Sequence, residues 1–253
     1  MTVEIMPGCE PYSAENGPLG VLVLHGFTGN PYTMRSLAER MAKAGYSVEL
    51  PRLPGHGTSL EDLMTTDWSD WSGAALEAYD ALRSRCDAVA VVGLSMGGGL
   101  TAFVAESRPD VAGCVFINPM VKPIPQELLD GLDQFIEAGV ETIDGNGSDI
   151  KSEDEREFEA AYSAMPLEAL RTLFAGVAAV NADLDRIAAP SLLLTSREDH
   201  TINWDRAEDL MTMVTGPISQ IWLEDSFHVA TLDNDAELIE SSIVAFLGEV
   251  LGS

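Results

Sequence analysis

Residues 88–103 read Ala-Val-Ala-Val-Val-Gly-Leu-Ser-Met-Gly-Gly-Gly-Leu-Thr-Ala-Phe, and this stretch decides the fold. Its β-branched first half predicts a buried strand, and the residues after Ser95 predict a helix. A strand that becomes a helix so abruptly strains the backbone of the residue between them, and little more than glycine fits on either side. Gly93 and Gly97 occupy those two places. The pattern is the G-x-S-x-G nucleophile elbow, and it predicts that Ser95 is a nucleophile.

Two backbone N–H groups near this serine are candidates for binding an oxyanion. In a nucleophile elbow the residue after the serine, here Met96, leaves its N–H free. The strand predicted at 19–24 runs into the turn-rich loop His25-Gly-Phe-Thr-Gly-Asn30. A loop at this place supplies the second donor, which makes Phe27 the candidate. We interpret His25 as a residue that fixes this loop through hydrogen bonds and does not transfer protons.

A serine hydroxyl needs a general base, and that base needs a carboxylate to orient it. The chain has four histidines. His25 and His56 precede the elbow in glycine-rich turns, and His200 abuts a carboxylate on its own loop. His228 follows the last predicted strand. The chain order Ser, Asp/Glu, His therefore makes His228 the predicted base.

The predicted acid lies on the loop after the strand predicted at 191–195. Two adjacent carboxylates, Glu198 and Asp199, stand there. We predict Asp199 because it lies further out on the loop, with Glu198 as the alternative. A rival assignment uses Glu224 or Asp225. Residues so close in sequence to the histidine rarely present a carboxylate to the far side of its ring.

Composition limits the partners of the chain. Its 253 residues include 41 acidic and 14 basic side chains, for a formal net charge of −27. Such a charge argues against nucleic acid and against anionic membrane surfaces, and it indicates either a solvated surface or tolerance of high salt. The longest apolar runs are far below the roughly 18 residues that span a bilayer, and the first residues lack a signal-peptide pattern. We therefore expect a cytoplasmic protein without stable membrane insertion, whose oligomeric state the sequence leaves open.

Strand and helix patterns alternate along most of the chain, which indicates the α/β class. The strands are near-continuous apolar runs separated by amphipathic helices, as in a mostly parallel sheet covered by helices on both faces. Between residues 120 and 181 the alternation stops. Three helices, near 125–138, 152–164 and 166–180, are predicted there without a strand between them. We expect a core of residues 1–119 and 182–253, with 120–181 as a small helical cap insertion above the ligand-binding ends of the strands.

Several motifs together carry a family resemblance: His25-Gly-Phe-Thr-Gly-Asn30, Leu53-Pro-Gly-His-Gly57, Gly93-Leu-Ser-Met-Gly-Gly98, Glu198-Asp-His200 and Ser226-Phe-His-Val-Ala-Thr-Leu-Asp233. In this order they resemble the α/β-hydrolase superfamily, and within it the bacterial carboxylesterases and monoacylglycerol lipases. The resemblance implies the α/β-hydrolase fold with a triad of Ser95, Asp199 and His228. It also implies that Phe27 and Met96 supply the oxyanion N–H groups, and that no metal or cofactor takes part.

The implied reaction is hydrolysis of a carboxylic ester through an acyl-enzyme, with short- to medium-chain esters or monoglycerides as small-molecule substrates. In monoacylglycerol lipases a cap glutamate contacts the glycerol, and Glu159 is the nearest match in this sequence. The alternatives on the same triad are a thioesterase, an acyltransferase or a carbon–carbon bond hydrolase. A non-catalytic ligand receptor on the same fold is a further alternative, although such proteins commonly lack a member of the triad.

Overall fold

The computed structural model describes residues 4–145, 147–153, 160–202 and 207–252. The strands in these ranges are β1 (Tyr12–Ala14), β2 (Leu19–Leu24), β3 (Ser47–Leu50), β4 (Ala88–Leu94), β5 (Gly113–Ile117), β6 (Thr142–Asp144), β7 (Ala164–Pro166), β8 (Ser191–Ser196) and β9 (Ile218–Leu223).

The α-helices in the same ranges are α1 (Tyr32–Lys43), α2 (Leu60–Leu63), α3 (Trp68–Arg83), α4 (Met96–Ser107), α5 (Gln126–Glu137), α6 (Leu167–Ala182), α7 (Glu208–Met213) and α8 (Ala236–Leu251). Short 3₁₀ helices cover Leu184–Arg186 and Ala230–Leu232. None of the helices in the described ranges combines the length and the apolar character that crossing a bilayer requires.

Seven strands form one sheet in the order β1-β3-β2-β4-β5-β8-β9. The edge strand β1 pairs antiparallel with β3, and every other pairing is parallel. The predicted α/β fold class, with a mostly parallel sheet, is confirmed. The central strand β4 lies between β2 and β5. The loop that leaves its carboxyl end therefore emerges at the middle of the sheet, where ligands bind in such folds.

Both faces of the sheet are buried, and the alternation of side chains along β2 shows how. Leu22 and Leu24 belong to one apolar cluster, which also contains Trp71 of α3. Val21 and Val23 point the other way and join a second cluster with Met34 of α1. All four β2 side chains are fully buried. A strand covered on both faces needs apolar side chains at every position, which explains its unbroken apolar sequence.

The chain between β5 and β8 differs from the prediction. Helices α5 and α6 form near two of the predicted positions, but β6 and β7 pair antiparallel as a separate two-stranded sheet. The prediction of a helix over 152–164 is wrong for the described residues 160–163, which are not helical. Residues 154–159 of that prediction lie outside the described residues. Three-residue strands, one ending in proline, are too short to show a period-two pattern, so this pairing left no readable signal.

Candidate active site

Ser95 lies at the tip of the turn between β4 and α4. Its backbone has φ 58° and ψ −119°, a strained conformation for a residue other than glycine. A Cβ atom on Gly97 would lie 2.2 Å from the carbonyl oxygen of Leu24, and one on Gly93 would lie 2.0 Å from the carbonyl oxygen of Gly97. No side chain fits at either place. The two glycines therefore allow α4 to start directly above the sheet, with the serine at its entrance.

The loop that carries Phe27 lies against this serine. A Cβ atom on Gly26 would lie 3.3 Å from Ser95 Cβ and 3.7 Å from its Oγ, so the backbone passes close to the hydroxyl. In the part of the chain that the structure describes, the N–H groups of Phe27 and Met96 donate to no other residue. Both donors remain available to an oxygen atom that enters beside Ser95.

His25 fixes this loop, as its position in the sequence predicted. Its side chain is fully buried. Nδ1 lies 3.0 Å from the carbonyl oxygen of Gly26, and Nε2 accepts a hydrogen bond of 3.1 Å from Leu53 N–H. These contacts define a neutral ring that donates through Nδ1. Burial and, to a smaller extent, the Arg52 charge lower the pKa of His25 to about 4, against the hydrogen bond to Gly26, which raises it.

Asp199 and His228 form a buried pair. Asp199 Oδ2 lies 2.7 Å from His228 Nδ1, and the two side chains are 2% and 7% exposed. The other carboxylate oxygen, Oδ1, accepts hydrogen bonds from the backbone N–H groups of Thr201 and Ile202 at 2.9 and 2.7 Å. With one oxygen held by the backbone and the other on Nδ1, the carboxylate orients the ring and leaves Nε2 as its free basic nitrogen.

The other carboxylates weighed for this place lie elsewhere. Glu198 is 57% exposed and pairs with Lys151 at 3.4 Å. Glu224 is 70% exposed and pairs with Arg197 at 3.3 Å. Asp225 is 63% exposed and pairs with Lys151 at 3.0 Å. Among the four candidates, the structure brings Asp199 to His228 and places these three at the surface.

The sequence did not reveal how the loop bearing His228 is held on its sheet side. The buried Asn118 amide donates to the carbonyl oxygen of His228 at 2.8 Å and to Ser196 Oγ at 2.9 Å. Ser196 Oγ in turn donates to the carbonyl oxygen of Phe227 at 2.8 Å. Asn118 follows β5 and has φ 41°, a conformation that asparagine tolerates better than most residues. An Asn-Pro pair at a strand end was the only hint in the sequence.

Two further carboxylates, also missed, hold the N–H side of that loop. Asp233 accepts from Phe227 N–H at 2.9 Å, and Asp149 accepts from His228 N–H at 3.2 Å. Asp149 also accepts from the Nδ1–H and the backbone N–H of His200, at 2.8 and 2.9 Å. His200 is thus paired with a residue from the β6–β7 connection, more than fifty positions away in the chain. Periodicity and local motifs do not reveal such long-range pairs.

A cavity of about 540 Å³ opens above Ser95. Ser95, Asp199 and His228 all line it, as does Phe27. Most of its apolar lining comes from the chain between β5 and β8: Met120, Val121, Ile124, Ala161, Met165, Leu170, Leu173 and Phe174. Within the described ranges, no three His, Cys, Asp or Glu side chains are grouped to hold a metal ion. Glu159, the predicted glycerol contact, lies outside the described residues and stays a prediction.

The fold and this arrangement agree with a family-level match. Residues 21–241 match the model of the alpha/beta hydrolase family, so the match covers most of the chain. The chain belongs to the alpha/beta hydrolase family.

Two relatives cover nearly the whole chain. A thermostable monoacylglycerol lipase of Bacillus sp. (strain H-257) is 41% identical over 252 residues, which are 98% of each chain. A carboxylesterase of Bacillus subtilis (strain 168) is 30% identical over 240 residues, 94% of this chain and 96% of the relative. Among solved structures, one described with the metagenome-derived lipolytic enzymes LipS and LipT superposes with a TM-score of 0.92. It is 39% identical and covers 97% of this chain and 100% of its own.

Proposed function

We propose that this α/β-hydrolase is a carboxylic ester hydrolase that cleaves monoacylglycerols and short- to medium-chain esters through an acyl-enzyme on Ser95. The observation that carries the proposal is the buried Asp199–His228 pair, 2.7 Å apart, on the same cavity as a serine held at φ 58°. A monoacylglycerol lipase and a carboxylesterase as full-length relatives support the same class of reaction.

The first half of the reaction forms the acyl-enzyme. Ser95 Oγ attacks the ester carbonyl carbon while His228 Nε2 takes the hydroxyl proton. Asp199 holds Nδ1–H and stabilises the positive charge that develops on the ring. The carbonyl oxygen becomes an oxyanion, which accepts hydrogen bonds from the N–H groups of Phe27 and Met96. The imidazolium then gives its proton to the leaving alcohol as the ester C–O bond breaks.

The second half returns the enzyme to its starting state. His228 takes a proton from a water molecule, whose oxygen attacks the acyl carbon. The same two N–H groups stabilise the second oxyanion. When the bond to Ser95 Oγ breaks, the imidazolium returns the proton to the serine and the carboxylic acid leaves. Neither half needs a metal or an organic cofactor.

The character of the cavity supports an uncharged acyl chain. Its apolar wall is suited to a chain of short to medium length, because burying apolar surface yields about 25 cal/mol per Å². The net charge of −27 repels anionic substrates such as acyl-CoA and nucleic acid at long range. We further propose that residues 120–181 act as a cap, since side chains from this range line the cavity together with Ser95, Asp199 and His228.

The nucleophile is tested with Ser95→Ala. The variant should fold and should lose hydrolysis of p-nitrophenyl esters by several orders of magnitude, because no other group can form the acyl-enzyme. Wild-type protein should also take up one equivalent of a fluorophosphonate at Ser95. Turnover by Ser95→Ala near the wild-type level, or absence of labelling in the wild type, would refute the proposal. Absence of labelling would instead favour a non-catalytic ligand receptor.

The acid is tested with a matched pair of variants on one loop. Asp199→Asn should keep the fold and reduce kcat on the order of 10⁴-fold, because an amide cannot stabilise the imidazolium or fix its tautomer. Glu198→Gln should keep most of the activity, because Glu198 is a surface residue paired with Lys151. The opposite ranking would make Glu198 the acid and leave the serine and histidine assignments intact.

A substrate panel separates the remaining chemistries. The panel contains 1-monoacylglycerols, p-nitrophenyl esters of increasing chain length, and acyl-CoA. We expect the highest kcat/KM on a monoacylglycerol or a short- to medium-chain ester. If acyl-CoA were the best substrate, a thioesterase or acyltransferase would replace the esterase, and the argument from the acidic surface would be wrong.

A further inference from the structure

The segment 149–152 lies between the loop that carries Asp199 and the loop that carries His228. The Asp149 side chain is only 13% exposed, and its carboxylate meets three N–H donors. Oδ2 accepts from the backbone N–H of His200 at 2.9 Å and of His228 at 3.2 Å. Oδ1 lies 2.8 Å from His200 Nδ1. One carboxylate thus joins the residue next to the acid with the base itself.

Backbone contacts hold this segment in place. The carbonyl oxygen of Asp149 accepts from Val229 N–H at 3.0 Å. The N–H groups of Lys151 and Ser152 donate to the Asp233 carboxylate at 2.7 and 3.0 Å. Ile150, between them, is fully buried and packs with the core on that side of the sheet. The Asp149 carboxylate therefore starts from a rigid backbone, which a positioning group requires.

Hydrogen bonds hold both backbone polar groups of His228. Asn118 donates to the carbonyl oxygen of His228, and Asp149 accepts from the N–H of the same residue. Catalysis requires the imidazole to stay within hydrogen-bond reach of both the acid and the serine, and displacement by about 1 Å costs on the order of a hundredfold in rate. The Asp149 side chain contacts both the backbone next to the acid, at His200, and the backbone of the base itself.

We propose that Asp149 is a positioning residue, whose carboxylate keeps the Asp199 and His228 loops in register so that the pair retains its catalytic geometry. The proposal rests on the proposed function, because it assigns Asp149 a role in the same reaction. It also makes the connection between β6 and β7 part of the catalytic architecture, in addition to its place in the cavity wall.

Two variants of Asp149 separate positioning from charge. Asp149→Ala removes every acceptor and should lower kcat between about ten- and a hundredfold, with KM changed far less, because the substrate contacts remain. Asp149→Asn loses the charge, but its amide oxygen can still accept from the N–H groups of His200 and His228, while its NH₂ faces the other tautomer of the His200 ring. Most of kcat should return in Asp149→Asn.

The matched control is Asp144→Ala, which removes an exposed carboxylate from β6. It should keep wild-type kcat. Proton NMR adds a measurement that a merely structural role of Asp149 would not change. The downfield resonance of the hydrogen bond from His228 Nδ1–H to Asp199 should be lost or shifted in Asp149→Ala and present in Asp149→Asn. Thermal unfolding of each variant shows whether it is folded at the assay temperature.

The outcomes are distinct. Wild-type kcat in folded Asp149→Ala would overturn the positioning role. Equal loss of kcat in the Asn and Ala variants would also overturn it, because the contact would then act through its charge. Failure of the proposed function is detected by a different variant, because Ser95→Ala would then keep its turnover. The result for Ser95→Ala does not depend on the Asp149 variants.

Discussion

Acidification should destabilise this fold through His25 before most of its carboxylates titrate. The ring is fully buried, and both of its nitrogens are committed, Nδ1–H to the carbonyl oxygen of Gly26 and Nε2 to Leu53 N–H. Protonating Nε2 would set two N–H donors against each other in a site without water access. Burial, as the largest cause, and the Arg52 charge lower the pKa of His25 to about 4, against 6.5 for the free side chain.

The direction in which the free energy of unfolding changes with pH follows from the number of protons bound in the folded and unfolded states. Between pH 6.5 and 4 the unfolded chain binds a proton at His25 that the folded chain does not, so the free energy of unfolding falls as pH falls. A lowering of the pKa from 6.5 to about 4, at about 1.4 kcal/mol per unit, gives a loss of about 3 kcal/mol below pH 4. At pH 4.5 the loss is about 2 to 3 kcal/mol by the same relation. His56, whose pKa burial and His25 also lower, acts in the same direction.

Urea unfolding at pH steps from 8 to 4.5, followed by tryptophan fluorescence, measures this effect. The comparison with His25→Asn removes the titration of His25 together with the effect of its charge on His56, while the titrating groups away from this loop contribute equally to both proteins. The variant should be less stable than wild type at pH 8, and the difference in the free energy of unfolding should narrow by about 2 to 3 kcal/mol at pH 4.5. A difference that stays constant over this range would refute the assignment of His25 as a neutral, loop-fixing group.

Two further predictions concern packing and a second buried acid. Gly97→Ala should cost about 3 kcal/mol or more, or prevent folding, because its Cβ would lie 2.2 Å from the carbonyl oxygen of Leu24. Gly73→Ala, inside α3 with no atom within 4 Å of the new Cβ, should instead raise stability by about 0.5 to 1 kcal/mol; thermal unfolding compares the two. Burial, and then the charge of Asp183, raises the pKa of Glu106 from 4.5 to about 8, so wild-type stability should fall as pH rises through this range, by at most about 1.4 kcal/mol per pH unit. In Glu106→Gln that fall should be absent, and parallel pH profiles for the two proteins would contradict the assignment.

The parts of the site that the sequence predicted are those fixed by local geometry. The elbow is legible because the steric demands on Gly93 and Gly97 arise within a few residues of Ser95. The chain order of the triad is legible because the carboxyl ends of parallel strands meet at one edge of the sheet. Asp199 is the candidate that contacts the histidine, and the variants described above test its role as the acid.

The residues that hold the His228 loop could not be predicted from the sequence, because their contacts are distant along the chain. Asp149 lies 79 positions from His228, and Asn118 lies 110 positions from it. The Asn118-Pro119 pair at the end of a strand does not indicate its distant partner, and a single aspartate in a glycine-rich loop is more often a turn residue than a support for another loop. These residues come close to the histidine only in the folded chain. The residues proposed to react are therefore easier to predict from the sequence than the residues that hold them in place.

The acyl chain that fits the cavity also depends on a contact between distant residues. The apolar wall of the cavity includes Leu170, Leu173 and Phe174 of α6. The distance of α6 from the core depends in turn on a contact outside the cavity wall, since a Cβ on Gly176 would lie 2.2 Å from the Trp68 ring of α3. Trp68 N–H also donates to Thr172 Oγ1 at 3.1 Å. A side chain at position 176 would displace either the Trp68 indole or helix α6. Displacement of α6 would also move Leu170, Leu173 and Phe174 in the cavity wall. The position of α6, which carries part of the cavity wall, thus depends on Gly176 and Trp68, which are not among the described residues that line the cavity.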